Sequence, residues 1–346
     1  MIIKEVPRPH LKDLFAWLPS SSKQQFRKSK PEVLSGVKIV GSGKGAITLI
    51  LKYLKDQGVL TDKLDEVIVP QWIGYWIYNQ IQSFAFPAKR FSERTKAIFV
   101  YHQYGFPQDM NKILKFARDK KLVVIEDCAH ALDSYYQGRK LGSMGDFTVY
   151  SFSKWFSCFA LGGVKSKFVD FFDYTEKSVA KTPFGLTLIK DSAKFLYDLS
   201  NFSKNKFFKK YANLFLNMSY ALYGDALRAS RLAEDLLKRK IEDEVKIRQK
   251  RYRYFLSQTR NLGICDHLEK EGITPYVIPI HCPELKNDLI VEALKKQGIM
   301  TGIYHFDMNR NLLSPKFEKC IWIPCHSDIT DEKFDEIIDL IKKIYV

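Results

Sequence analysis

An apolar run that ends in two carboxylates restricts the fold of this chain more than any other feature. Residues 122–125 are all apolar and lead directly into Glu126 and Asp127. Such a run is typical of a strand buried on both faces, as in a parallel sheet, and α/β sheets bind ligands at the carboxyl ends of their strands. A second short strand, from Val149, leads into Lys154. The sequence therefore predicts an acid and an amine at one ligand-binding edge.

An acid and an amine in one crevice suit pyridoxal 5'-phosphate. The amine of Lys154 can form a Schiff base with the cofactor, and Asp127 can keep the pyridine nitrogen protonated so that the ring accepts electrons. The same lysine, once free, can move a proton between substrate and cofactor. Two simpler interpretations stay open: Asp127 as a helix cap, and Lys154 as a solvated lysine.

Three motifs carry a resemblance to a known family. They are Glu-Asp-x-x-His from residue 126, Gly-Arg-Lys-x-Gly-Ser-x-Gly-Asp over 138–146, and Ser-Phe-Ser-Lys over 151–154. Together they resemble the DegT/DnrJ/StrS-type sugar aminotransferases, which are fold-type-I pyridoxal phosphate enzymes. The resemblance runs from about Val37 to Lys154, returns at 323–326, and is poor between about Lys165 and Leu237.

The resemblance implies further site residues. His130 matches the family position beside the phenolic oxygen of the cofactor, although a lone histidine is more often a core residue. Gly43 and Lys44 match the turn that binds the phosphate at a helix N-terminus, where backbone N–H groups favour an anion. Lys44 replaces the usual threonine, and its ammonium can pair with phosphate. Ser151 would add a hydroxyl to the same group.

The aromatic ring that stacks on the cofactor is harder to place. The family position, four residues after the proline that ends a strand, is occupied by Gly74 here. Trp72, Tyr75 and Trp76 are close in sequence, and Tyr75 is the favoured candidate. Each of the three also fits a plain core residue.

Two features depart from the family pattern. The lysine usually follows the serine by five residues, whereas Lys154 follows Ser151 by three. The Gly-x-Asn-x-Arg-Met motif corresponds to residues 223–228, where the asparagine is absent and Arg228 is a partial match. The segment 168–223 ahead of it is basic and aromatic. It fits a cover for an anionic nucleotide-sugar, a membrane-facing surface, or a solvated helical pair packed on a dimer.

The fold class predicted from these patterns is α/β. We expect a fold-type-I aminotransferase-like large domain, with a mainly parallel sheet sandwiched by helices, and a small C-terminal α/β domain. The predicted boundaries are an N-terminal arm at 1–35, a cofactor-binding domain at 36–235 with a divergent helical segment at 165–223, and a long helix with the small domain at 236–346. Strands are predicted at 67–69, 97–101, 122–126, 276–280, 302–306 and 320–323, and helices at 46–55, 109–121, 231–257, 284–297, from about 187 and from 330.

Composition narrows the class of protein. The 346 residues carry a formal net charge of +16, which fits a nucleic-acid surface, a membrane-facing patch or anionic substrates. The charge forms no long run, so nucleic acid ranks last. No apolar segment suits a signal peptide or a membrane span. Six cysteines without Cys-x-x-Cys spacing predict reduced, buried thiols in the cytoplasm, and the scattered histidines predict no metal site.

By resemblance, the chain is expected to be a cytoplasmic, homodimeric aminotransferase that uses pyridoxal phosphate. It would move an amino group, with glutamate as the expected donor, onto a nucleotide-linked keto-sugar for surface polysaccharides. One alternative is a sugar dehydratase using the pyridoxal or pyridoxamine form, although such enzymes replace the lysine with histidine. The other is a degenerate, non-catalytic scaffold that binds partners through its basic surface.

Overall fold

The computed structural model describes residues 2–11, 13, 31–180 and 182–345. Most of the predicted N-terminal arm, residues 14–30, lies outside the described residues. The strands are β1 Lys38–Val40, β2 Glu66–Ile68, β3 Phe86–Ala88, β4 Thr95–Tyr101, β5 Val123–Asp127, β6 Tyr135–Tyr136, β7 Arg139–Lys140, β8 Phe147–Ser151, β9 Gly162–Ser166, β10 Val277–Ile280, β11 Ile303–Asp307 and β12 Phe317–Pro324. The helices are α1 Gly43–Asp56, α2 Tyr75–Gln82, α3 Met110–Asp119, α4 Asp170–Ala180, α5 Phe184–Ser200, α6 Lys206–Met218, α7 Ala221–Gly224, α8 Arg231–Thr259, α9 Glu284–Lys296 and α10 Asp331–Tyr345.

A seven-stranded sheet forms the centre of the large domain, in the order β1-β9-β8-β5-β4-β2-β3. The pairs from β8 through β5, β4 and β2 to β3 are all parallel. Strand β9 runs antiparallel to both of its neighbours, β1 and β8. The predicted mainly parallel sheet is therefore confirmed.

Each face of this sheet is covered by helices. Along β4, Ile98 and Val100 belong to a core shared with α3 and the first half of α8. The alternate residues Ala97 and Phe99 belong to a second core shared with α1 and α4. This period of two, apolar on both faces, is why the central strands read as continuous apolar runs.

The small domain is built on an antiparallel sheet in the order β10-β12-β11, packed against α9 and α10. The long helix α8 contributes to both domains, with Val245 in the core of the large domain and Phe255 in that of the small one. The N-terminal segment also joins the small domain. Ile3 accepts a hydrogen bond from the N–H of Met300 at 2.8 Å and donates one to Gly298 at 2.9 Å.

The divergent segment folds as helices α4 to α7. The sequence predicted a helical segment at 165–223, with a helix from about residue 187; α5 begins at Phe184, and the separate helix α4 was not delimited. Helix α4 buries Phe171, Thr175 and Val179. This stripe has only two large apolar side chains, so its periodicity is weak and packing against α1 decides the conformation. Among the described helices, none combines the length and apolar character needed to cross a membrane.

Candidate active site

Asp127 and Lys154 lie at the carboxyl ends of two neighbouring parallel strands. Asp127 is the last residue of β5 and pairs with Val149 of β8. Lys154 ends a single 3-10 turn that follows β8, so the strand itself stops at Ser151. The charge of each group acts on the pKa of the other, which places the acid and the amine in one electrostatic neighbourhood.

The two oxygens of Asp127 have different surroundings. Oδ1 accepts a hydrogen bond from the N–H of Ala129 at 2.9 Å, as expected of a cap. Oδ2 is buried and has no hydrogen-bond partner among the described residues. Burial raises the pKa of Asp127 to about 6, against the opposing effects of the Ala129 N–H and Lys154. The cap explains one oxygen, and the other lacks the donor that a buried carboxylate requires.

Lys154 lines a cleft of about 370 Å³ between the sheet edge, α5 and the N-terminal segment. Burial lowers the pKa of Lys154, and the negative charge of Asp127 opposes that shift. A lysine held in this way can act as a base and nucleophile more readily than one in water. The cleft is lined by Lys4, Glu5, Val6, Pro7, Ser151, Ser153, Lys154, Lys194, Tyr197, Asp198, Asn201, Phe202 and Tyr276.

The turn before α1, residues 41–43, lies against the end of β8. We call it the phosphate turn, after the role that the sequence predicts for it. Ser42 caps α1, because its Oγ accepts a hydrogen bond from the N–H of Gly45 at 2.8 Å. A Cβ atom added at Gly43 would lie 3.0 Å from Oγ of Ser151, so Gly43 and Ser151 face each other. The helix N-terminus and this hydroxyl together form a place where a phosphate can be held.

Lys44 lies between two aromatic rings at the same helix end. Its Nζ is 3.5 Å from the ring centre of Tyr220 and 4.9 Å from that of Trp76. Burial lowers the pKa of Lys44 to about 7, and repulsion from Lys154 adds to the effect. A phosphate bound nearby would restore the charged form.

His130 is packed between aromatic rings, and the charge of Lys154 acts on its pKa. Its Nδ1 lies 2.5 Å from the hydroxyl of Tyr101, and its ring stacks on Tyr276 at 4.1 Å. Burial lowers the pKa of His130 well below its usual value, which keeps the ring neutral. Its Nε2 is buried and has no hydrogen-bond partner among the described residues. The contact with Tyr101 satisfies Nδ1, as in a core histidine. Nε2 is left free for the contact with the cofactor that the resemblance implies.

The three candidate stacking rings occupy different places. Tyr75, the favoured residue, is 68% exposed and touches the edge of Trp76. Trp72 stacks on His305 at 4.7 Å. Trp76 is the ring of the three that contacts Lys44. The role of Tyr75 stays a prediction, and its exposure favours Trp76 as the ring nearer the phosphate turn.

The buried residues that hold the segments around this site together could not be recognised in the sequence. Lys190 of α5 is fully buried, and its Nζ donates hydrogen bonds to Gly41 O at 2.8 Å, Ala160 O at 3.0 Å and Asp191 at 2.6 Å. It thereby ties α5 to the turn before α1 and to the loop after Lys154. Nothing in the sequence around this lysine distinguishes it from the many solvated ones.

Glu126 anchors the glycine-rich motif over 138–146. Its carboxylate accepts hydrogen bonds from the N–H groups of Gly142, Met144 and Gly145, and it lies 3.1 Å from His102. Burial raises the pKa of Glu126, but the His102 contact and these N–H groups outweigh burial and hold the pKa below its usual value. The neighbouring Cys128 lies within 4.8 Å of both groups. Because the Glu126 oxygens are already occupied, this cluster is an anchor for the loop beside Asp127.

The close approach of β9 to the phosphate turn gives a first testable prediction. A Cβ atom at Gly162 would lie 2.3 Å from the backbone of Ser42 and 2.4 Å from Gly43 N. We expect Gly162→Ala to lower the free energy of unfolding by about 3 kcal/mol, because backbone atoms must move. Urea denaturation measures this. Gly185→Ala, where the added atom meets open space, should change stability by less than about 1 kcal/mol.

These residues fit pyridoxal 5'-phosphate. The unpaired Oδ2 of Asp127 suits a protonated pyridine nitrogen, and the charge of Lys154, which lines the cleft, acts on Asp127. Because a Cβ atom at Gly43 would collide with Ser151, glycine lets the N-terminus of α1 approach the Ser151 hydroxyl, and both suit a phosphate.

Comparison with known proteins agrees with this geometry. Residues 88–164 match the model of the DegT/DnrJ/EryC1/StrS aminotransferase family. Over this stretch the chain is similar to that family. The match runs from the last residue of β3 into β9 and includes Asp127, His130, Ser151 and Lys154.

Individual proteins are similar to this chain over different lengths. The MJ1066 protein of Methanocaldococcus jannaschii is 26% identical over 73% of this chain and 68% of its own length. GDP-perosamine synthase of Escherichia coli O157:H7 is 44% identical, over 18% of each chain. PseC of Helicobacter pylori, an aminotransferase involved in the biosynthesis of pseudoaminic acid, has a similar fold with a TM-score of 0.67, 17% identity and 98% coverage of both chains.

The region that lacks the family's asparagine packs on the turn before α1. Leu227 O accepts a hydrogen bond from the N–H of Gly41 at 2.7 Å. Tyr223 O accepts one from the hydroxyl of Ser42 at 2.5 Å, and Gly224 O accepts one from Thr48. Backbone carbonyls thus hold the segment against the turn.

Proposed function

We propose that this chain is a pyridoxal phosphate-dependent aminotransferase that acts on a nucleotide-linked keto-sugar. The observation that carries the proposal is the unpaired, buried Oδ2 of Asp127 in the same electrostatic neighbourhood as Lys154. A carboxylate placed in this way costs stability unless a cationic donor meets it. The protonated pyridine nitrogen of the cofactor is such a donor.

The proposed roles of the residues follow from their positions. Pyridoxal phosphate, when bound, supplies an electron sink for charge that develops on the substrate carbon. Asp127 would keep the pyridine nitrogen protonated, and His130 would contact the ring from the same strand end. Lys154 would hold the cofactor and then carry a proton to and from the substrate carbon. Gly43, Lys44 and Ser151 would bind the phosphate.

The substrate classes are proposed from the cleft and the relatives together. Lys4 and Lys194 line the cleft beside Lys154, and they suit the carboxylate of an amino donor such as glutamate or the diphosphate of a nucleotide-sugar. GDP-perosamine synthase of Escherichia coli O157:H7 is 44% identical to this chain over 18% of its length. A role in surface polysaccharide synthesis follows from that likeness.

A homodimer in the cytoplasm completes the proposal. All six cysteines are free and buried, which suits a reducing compartment. Light scattering of the purified protein should give the mass of two chains. A single-chain mass at working concentration would contradict the dimer and would leave the reaction itself to be tested separately.

The reaction is tested by two half-reactions followed in one cuvette. Protein loaded with pyridoxal phosphate should be yellow, should lose that colour with glutamate alone, and should regain it with a nucleotide-linked keto-sugar. Mass spectrometry of the sugar should then show an amine in place of the carbonyl oxygen. Loss of water from the sugar would identify a dehydratase instead. A protein that fails to bind the cofactor would favour the non-catalytic scaffold.

A further inference from the structure

Helix α6 presents two apolar faces, and only one of them is covered. Its inner face packs against α5 and buries Ala212. On the outer side, Phe207, Tyr211, Leu214 and Met218 are 74%, 62%, 50% and 76% exposed. Their spacings of four, three and four residues place them in one stripe along the helix. We call these four residues the outer stripe.

The patch extends beyond α6 to the neighbouring helix. Helices α5 and α6 form an antiparallel hairpin joined by a short connection. Leu188 and Met218 each lie twelve residues from the turn, or about 18 Å at the rise of an α-helix. Leu188 and the nearby Phe184 are 56% and 81% exposed. The open end of the hairpin therefore carries several large apolar side chains, more than a solvated helix pair needs.

All charged side chains of α6 are positive. Helix α6 contains no aspartate or glutamate, and Lys206 and Lys210 flank the stripe on one side. Lys204 and Lys209 are also exposed within the same stretch. An apolar stripe with lysines along its border is the pattern of a helix that lies in the interface of a membrane.

We infer that the outer stripe docks α6 onto the surface of an anionic phospholipid bilayer. The four apolar side chains would enter the boundary between headgroups and acyl chains, and the lysines would pair with lipid phosphates. A second copy of this chain fits less well. A two-fold contact through the stripe would bring the lysines of two α6 helices to one interface, with no acidic residue on α6 to meet them.

The test is co-sedimentation of the full chain with lipid vesicles. We expect binding to vesicles containing phosphatidylglycerol, weaker binding at high ionic strength, and little binding to pure phosphatidylcholine. The double variant Lys206→Ser/Lys210→Ser should weaken binding about thirtyfold, since each lysine near an anionic surface contributes about a factor of five. Tyr211→Ser/Leu214→Ser should weaken it by at least about tenfold.

Matched control variants come from α9. Leu285 and Leu289 are an exposed apolar pair at helical spacing, but α9 also carries Glu284, Asp288 and Glu292. Leu285→Ser/Leu289→Ser should leave vesicle binding unchanged, as should Lys295→Ser/Lys296→Ser, which removes the same charge as the α6 lysine variant. All of these side chains are exposed, so the variants should keep the wild-type melting temperature.

Three outcomes would overturn the inference. The first is wild-type protein that does not sediment with phosphatidylglycerol vesicles. The second is an equal loss of binding in the α9 variants, which would mean non-specific attraction. The third is a two-chain mass that falls to one chain in Tyr211→Ser/Leu214→Ser, which would mean that a second copy covers the outer stripe. Vesicle binding and the reaction at Lys154 use different residues, so either can fail without the other.

Discussion

We expect the Lys154→Ala variant to lose the covalent bond to pyridoxal phosphate and at least about a hundredfold of its transamination rate. The reason is positional. Lys154 lines the cleft at the sheet edge, and burial lowers its pKa so that the reactive free amine is more populated than in water. Borohydride treatment of the loaded wild-type protein should add the mass of the cofactor to the peptide that contains Lys154, and that mass should be absent from the variant.

The matched control is Lys165→Ala on the adjacent strand β9. The side chain of Lys165 lies against Gly36, away from the cleft. This variant should keep both the covalent mass and the yellow colour. If cofactor mass is still found on residues 139–165 of the Lys154→Ala protein, another lysine carries the bond and the assignment of Lys154 is wrong.

The second large effect is a dependence of stability on pH that comes from Asp127. Burial raises the pKa of Asp127 to about 6 from 3.8, so the folded protein without cofactor binds this proton more tightly than the unfolded chain. Its contribution to stability is fully present below about pH 4 and is lost as the pH rises through about 6. The loss amounts to about 3 kcal/mol, because one pKa unit corresponds to about 1.4 kcal/mol.

Asp127→Asn should remove this dependence, since an amide stays neutral. Relative to the wild type, the free energy of unfolding of the cofactor-free variant should rise by about 3 kcal/mol between pH 4 and pH 8. Urea denaturation at several pH values measures the difference. Pyridoxal phosphate should raise the melting temperature of the wild type much more than that of the variant, because the variant cannot pair with a cationic pyridine.

An exposed carboxylate provides the control for this experiment. The pKa of Asp119 is lowered, first by its hydrogen bond to Lys115, so Asp119→Asn should show no gain as the pH rises. A cofactor-free Asp127→Asn protein that is no more stable than the wild type at pH 8 would mean that Oδ2 of Asp127 has a partner in solution. The proposed pairing with the cofactor would then lose its main support.

Much of the central sheet could be predicted because its signals are local. Strand β5 reads as an unbroken apolar run, since helices cover both of its faces. Helix α3, which connects β4 to β5, makes these two strands a parallel pair. Asp127 follows directly, because the end of that run is the end of the strand. The sequence also predicted a long charged helix at 231–257 that could bridge the two domains, and α8 does contribute to both cores.

Other parts could not be read from the chain because distant segments decide them. The cleft at Lys154 is lined by Lys4 to Pro7 and by Lys194, Tyr197 and Asp198 of α5. These residues lie far from Lys154 in sequence. Lys190 looks like any solvated lysine until Gly41 O and Ala160 O meet it. Tyr75 was favoured by sequence proximity, but the start of α2 leaves it exposed and turns Trp76 toward Lys44.

The sequence by itself determined the main strands of the parallel sheet, the edge at which an acid and an amine are expected to meet, and the family to which the chain is similar. These depend on the alternation of apolar residues and on short motifs, which act over a few residues. The tertiary structure decided which side chains wall the cleft, which oxygen of Asp127 is left without a donor, and which face of α6 stays uncovered. Those properties depend on burial and on contacts between distant segments, which no local pattern records.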